Sequence, residues 1–109
     1  MGLRLLISTA PAEAAPGIAR ALVEEKLAAC VNVVERVRSV YSWKGAICDD
    51  AEALLLVKTT ADRVAELAAR LKALHPYEVP EIVSIEIREG EGNPEYLEWI
   101  AACVRETLL

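Results

Sequence analysis

The single histidine of this chain stands in the run His75-Pro76-Tyr77-Glu78-Val79-Pro80-Glu81-Ile82, which gathers an imidazole, a phenol and two carboxylates. One imidazole with carboxylate oxygens is a ligand set that suits divalent metal ions, although one histidine per chain cannot complete a tight site. Pro76 and Pro80 fix φ and push the residues before them into extended backbone, so the run predicts a rigid loop. Loops braced in this way commonly carry binding groups. His75 also follows Leu74 at the end of a helical pattern, where a cap on the last carbonyls is an equally good use for it.

Other candidates lie on predicted strands. Glu81 falls in phase with Val79, Val83, Ile85 and Ile87, which points its carboxylate at an apolar face if the strand is regular. Lys58 shares a phase with Leu54 and Leu56 in the same way. A charge in such surroundings needs a partner, and an ion pair or a bound ligand would each satisfy it. Trp43 and Trp99 each join a large apolar surface to one donor, which suits contact surfaces, and Trp43 also suits a cleft wall. Cys30, Cys48 and Cys103 are odd in number and far apart, which argues against a disulfide scaffold and for small core hydrophobes. No Ser-His-acid set, phosphate-cradling glycine loop or zinc signature appears, so the reading is not an enzyme, and no organic cofactor is expected.

Composition bounds the rest. The 109 residues suit one domain, spanning 1–109, with a single core. A net charge of −5 with dispersed basic residues disfavours nucleic acid. No apolar run approaches the roughly 18 residues needed to cross a bilayer, and Leu3 to Ile7 is too short for a secretion signal. The expectation is a cytoplasmic protein with no membrane partner.

Periodicity supplies the elements that must hold these residues. Leu3 to Thr9 reads as a buried strand and Ala12 to Leu27 as a helix, regular only from about Pro16, which is tolerated in a first turn. Val31 to Trp43 reads as a long strand with Val31, Val33, Val37, Tyr41 and Trp43 in one phase and a bulge near Glu35. After a turn at Lys44-Gly45 the chain returns from Ala46 to Thr60. Thr60 or Asp62 then caps a helix with Val64, Leu67, Ala68, Leu71 and Leu74 inward, and a last strand runs from about Val79 to Arg88. Asn93-Pro94-Glu95 starts a final helix with one stripe at Leu97, Ile100, Ala101, Val104 and Leu108 and another at Tyr96, Trp99 and Cys103. The acidic runs Asp49-Asp50 and Glu89 to Glu91 read as solvated loops.

The pattern is βαββαβ plus a C-terminal helix, an α+β fold with a ferredoxin-like antiparallel sheet. Leu5-Leu6-Ile7-Ser8-Thr9 and Leu55-Leu56-Val57-Lys58-Thr59 echo each other across the two halves, which predicts that Ser8 and Lys58 lie close together. Arms of about 13 residues make a central hairpin of about 43 Å, whereas a helix of about 13 residues covers about 20 Å. The tip must overhang its own domain. Its apolar residues then need a second chain, which predicts self-association.

Together with Cys30-Val31-Asn32, Tyr41-Ser42-Trp43-Lys44-Gly45, Val57-Lys58-Thr59-Thr60 and Asn93-Pro94-Glu95-Tyr96-Leu97-Glu98-Trp99, the histidine run resembles the CutA divalent-cation-tolerance family. The likeness extends over nearly the whole chain, in order. It implies a homotrimer involved in tolerance of divalent metal ions, copper above all, with His75 as a metal ligand and Cys30 as a further candidate. Ser8 stands where some relatives have a cysteine, so metal binding is expected to be weak. Glu35-Arg36 replaces a Pro-Gly found in many relatives. The rival reading is a PII-like signalling protein that takes a small anionic effector between subunits, with Ser8, Trp43, Lys58, Tyr77 and Glu81 around it. A third is an interaction scaffold without a ligand.

Overall fold

The computed structural model describes residues 2–105. In chain order the elements are β1 (Leu3–Ala10), α1 (Ala15–Glu24), β2 (Cys30–Trp43), β3 (Ala46–Thr60), α2 (Val64–Leu74), β4 (Val83–Ile87) and α3 (Pro94–Val104), with short 3-10 turns at Ala61–Arg63 and Glu89–Glu91. The strands form one sheet in the order β2-β3-β1-β4, antiparallel throughout, which is the expected βαββαβ arrangement with an added helix.

Local chemistry accounts for most boundaries. Pro16 sits in the first turn of α1, where its missing N–H costs nothing, and Ala15, Ile18 and Leu22 turn inward. Lys44 and Gly45 both have positive φ, 49° and 82°, as a two-residue turn matched to strand twist requires. The Asn93 side chain accepts the Glu95 N–H at 3.1 Å and caps α3. Leu97, Ile100, Ala101 and Val104 then pack on Leu3 and Ala29. Leu108 lies outside the described residues.

Several expectations are corrected. Neither Thr60 nor Asp62 caps α2 with its side chain: the Thr60 hydroxyl donates to the Asp62 carboxylate, and a 3-10 turn precedes the helix. The last strand starts at Val83 instead of Val79, because its ladder with β1 begins at the Ile7–Val83 pair and Pro80 has no N–H to extend it. Asp49 and Asp50 belong to β3, where Arg38 donates to both oxygens of Asp49 at 2.8 and 2.6 Å and the Tyr41 hydroxyl donates to Asp50. Glu89 to Glu91 is exposed in the connection to α3 and takes a short 3-10 turn there.

The β2 bulge is present between Val34 and Val37, but it divides the proposed single phase. Val31 and Val33 lie opposite Val57 and Leu55, whereas Val37, Tyr41 and Trp43 lie opposite Glu52, Cys48 and Ala46. One extra residue on β2 exchanges the faces of everything beyond it.

The sheet is covered unequally. Under α1 and α2, Leu6, Ala10, Ala53, Leu55 and Val57 form the core with Ile18, Leu22, Leu67 and Leu71. On the other face, α3 seals Leu3 against Ile87 and stops. Leu5, Ile7, Leu54 and Leu56 continue that face half-buried, flanked by exposed Val34, Val83 and Ile85. Beyond the bulge the hairpin overhangs, with Ile47 77% exposed near its tip, in a molecule 48 Å along its longest axis.

Candidate functional site

The histidine run folds against the ends of β1 and β3. His75 leaves α2 in extended conformation and buries its ring to 7% exposure. Its Nε2 lies 2.7 Å from the Thr9 carbonyl oxygen, which can only accept, so Nε2 carries the proton. Its Nδ1 accepts the Tyr77 N–H at 3.1 Å. Both nitrogens are thus committed, and the ring packs on Tyr77 with centroids 4.7 Å apart. A metal could reach His75 in this arrangement only by displacing the Tyr77 N–H from Nδ1 or the Thr9 carbonyl from Nε2. The histidine braces the loop to β1 instead.

Tyr77 continues the brace. Its hydroxyl donates to Glu52 Oε2 at 2.9 Å, and Glu52 is 6% exposed. Burial comes first in raising the phenol to about 12, followed by the bond to Glu52 and the charges of Glu52, Asp50 and Glu13. Glu52 was not singled out in the sequence, where it sits in one acidic stretch with Asp49 and Asp50. Its only local signal is that it immediately precedes the buried run starting at Ala53.

A second cluster forms near the other end of β3. Lys58 Nζ donates to the Tyr96 hydroxyl at 3.1 Å and lies 5.3 Å from that ring's centroid. Tyr96 in turn stacks obliquely on Trp99, centroids 5.4 Å apart. Among the described residues Lys58 has no carboxylate partner, which makes it a cation available to an anion. In the sequence Tyr96 belongs to a helix stripe and to the Asn93–Trp99 motif, neither of which points to Lys58. Its spacing of three from Trp99 was the available clue. Cys30 lies opposite Lys58 on β2, with Sγ 3.6 Å from Asn32 Oδ1, and is half-buried.

The remaining expectations fare differently. Ser8 is fully buried on the helix-covered face opposite Leu55, while Lys58 pairs with Leu5. The two are not neighbours, because β1 and β3 run antiparallel and equivalent positions of the two halves fall at opposite ends. Glu81 is exposed in the loop before β4, so the strand-phase argument does not apply to it. Trp43 is at the hairpin tip with Lys44 Nζ 5.9 Å from its ring. Six residues of β3 separate Lys58 from Glu52, roughly 20 Å, and twelve separate it from Ala46, roughly 40 Å. Within one chain Trp43, Lys58 and Tyr77 therefore do not converge. Among the described residues no three His, Cys, Asp or Glu side chains are grouped to hold a metal ion.

Comparison with known proteins agrees with this architecture. The family model described as CutA1 divalent ion tolerance protein matches residues 4–103. The Divalent-cation tolerance protein CutA of Thermus thermophilus is 54% identical over 96 residues, 88% of this chain and 91% of that protein. The Protein CutA homolog of Xenopus laevis is 48% identical over 92 residues, 84% of this chain and 60% of its own length. Among solved structures, CutA1 of Oryza sativa superposes with a TM-score of 0.92 at 40% identity, covering 98% of this chain and 97% of that one. A structure described as PII-like protein CutA from Nostoc superposes at 0.86 with 39% identity, covering 96% and 98%.

Proposed function

The chain belongs to the CutA1 divalent ion tolerance family, and on that footing we propose that it serves the response to divalent metal ions as a homotrimeric binding module without catalytic chemistry. The observation that carries this reading is the half-covered sheet. Leu5, Ile7, Leu54, Leu56, Val83 and Ile85 form one continuous apolar face that this chain does not close, beside an overhanging hairpin. Exposed apolar surface of that extent favours association. Light scattering behind size exclusion tests it: three times 11.9 kDa is the expected mass, and a monomer at micromolar concentration would refute it.

Copper or another divalent ion is the ligand that the family name suggests. The residues of a single chain do not fit a tight site, since His75 has no free nitrogen and Cys30 stands alone. In this reading any metal contact is weak and independent of His75. A cytoplasmic location belongs to the same proposal. Relatives are named chloroplastic in rice, and a similar archaeal structure is described as periplasmic. Cell fractionation tests that part.

A second reading has its own support: Lys58, held by a phenol and no acid, suits a small anionic effector. The PII-like description of the Nostoc protein concerns that protein alone, but it makes the test worthwhile. Trp43, Tyr77 or Glu81 could complete such a site only from a neighbouring chain. Titration with nucleotides and organic anions, alongside copper and zinc, separates the two.

A further inference from the structure

A hollow of about 520 Å³ opens between the start of α1 and the β2 bulge, walled by Pro16, Val33, Ala51 and Ala53 and rimmed by Glu35 and Arg36. Its size is that of a small-molecule site. The bulge explains why two opposite charges stand there side by side. Val34 and Val37 lie opposite Leu54 and Glu52, so Glu35 and Arg36 both fall opposite Ala53 and both line the hollow beside it. In a regular strand, alternation would send one of the two to the other face. That is the case for Glu52, which sits between Ala51 and Ala53 and turns its carboxylate away to the Tyr77 hydroxyl. Neither rim charge is used within the chain. Among the described residues Glu35 and Arg36 make no ion pair or side-chain hydrogen bond, with each other or with a third group. Asp49, which shares an adjoining hollow with Arg36, is already held through both oxygens by Arg38.

We propose that this hollow binds a free aliphatic α-amino acid, with its carboxylate on the Arg36 guanidinium, its ammonium on the Glu35 carboxylate and its side chain against Pro16, Val33, Ala51 and Ala53. The paired charges select this ligand. A simple organic anion on Arg36 would have Glu35 beside it as a repelling charge, and a simple amine on Glu35 would meet Arg36 in the same way. A zwitterion with both charges on one carbon answers both neighbours at once, and the planar guanidinium takes a carboxylate through two parallel bonds. The wall holds no aromatic and no uncharged polar side chain, so an aliphatic side chain enters it without leaving a polar group unpaired. The hollow lies on the helix-covered side of the sheet, beside buried Ala53, so association through the open face leaves it accessible. It is separate from the Lys58 cluster and does not depend on the anionic reading.

The test is a titration of the ¹⁵N-labelled protein with L-leucine, compared at matched ionic strength with isoamylammonium chloride and sodium isocaproate, which each lack one of its charges. Saturable shifts centred on residues 33–36 and 51–53 are expected with leucine. Each analogue should bind about fivefold more weakly, the upper range for one exposed charge pair. Arg36→Gln and Glu35→Gln should each weaken leucine binding by a similar factor, and both positions are exposed, so the fold is kept. Ala51→Leu fills the hollow from an exposed strand position and should weaken binding without touching either charge. Lys58→Met, in the other cluster, should bind leucine as the wild type does. Shifts that do not saturate or that centre elsewhere, equal or tighter binding of either analogue, full leucine binding by the Glu35, Arg36 or Ala51 variant, or its loss in the Lys58 variant would each overturn the proposal.

Discussion

The two faces of the sheet are made by the same strands from similar residues, yet only one is finished. Leu6, Leu55 and Val57 are fully buried beneath α1 and α2, while Leu5 and Leu56, one position away, remain partly open. Alternation along a strand assigns residues to faces, but burial depends on what the chain can lay over each face. Here a single helix, α3, covers one end of the second face. Of its other stripe, Tyr96 and Trp99 are themselves uncovered, Trp99 44% exposed, while Cys103 is half-buried against the cluster around Leu3.

The largest effect should separate the faces directly. Leu55→Ala, in the closed core, is expected to cost about 2–5 kcal/mol and to lower the denaturation midpoint at every protein concentration. Ile85→Asp, on the open face, should instead leave a folded chain that no longer associates, seen as a drop to 11.9 kDa by light scattering. Unfolding by the second variant together with retained assembly by the first would remove the distinction between the faces.

Intermediate effects belong to the brace. Tyr77→Phe leaves buried Glu52 without its donor and should cost about 1–3 kcal/mol in chemical denaturation. The same phenol gives a pH signature. Its folded value, about 12, lies above its ordinary value near 10, so the folded state keeps the proton after the unfolded chain has lost it. This contribution is complete below pH 10 and declines as pH rises toward 12; the wild-type advantage over Tyr77→Phe should shrink across that window. His75→Ala should loosen the loop without changing copper affinity, and calorimetric titration of both proteins checks it. A clear loss of copper binding would restore His75 as a ligand.

The smallest effect on stability is expected at Lys58, which is partly exposed and has a neutral partner. Lys58→Met should change the denaturation midpoint by only a few tenths of a kcal/mol. Any saturable binding of organic anions to the wild type should nevertheless fall sharply in this variant. Unchanged anion binding would exclude the Lys58 end as their site.

Much of this fold was legible because its signals are local. Lys44-Gly45 sets the turn, Glu35 breaks an apolar alternation at the bulge, and Asn93-Pro94 starts the last helix. What escaped depended on partners distant in sequence. The start of β4 is decided by where β1 offers a ladder, so extended residues before Val83 stay outside it. The echo of Ser8 and Lys58 was real in sequence, but strand direction placed the two apart. His75 looked available until Thr9, 66 residues away, took one of its nitrogens. Only its place before the run starting at Ala53 sets Glu52 apart from Asp50, because its partner lies 25 residues downstream.

The extra residue between Val34 and Val37 also makes the hairpin a device with parity. Up to the bulge, the orientation of side chains is tied to the core and cannot change without exposing Val31 and Val33. Past it, orientation depends on a single count. Deleting one residue at 35 or 36 would turn Tyr41 and Trp43 to the opposite side while leaving the domain's own ladder in register, whereas adding a pair would lengthen the arm without turning it. Reach and aim of the arm can therefore diverge between related sequences independently of one another and of the core that anchors them.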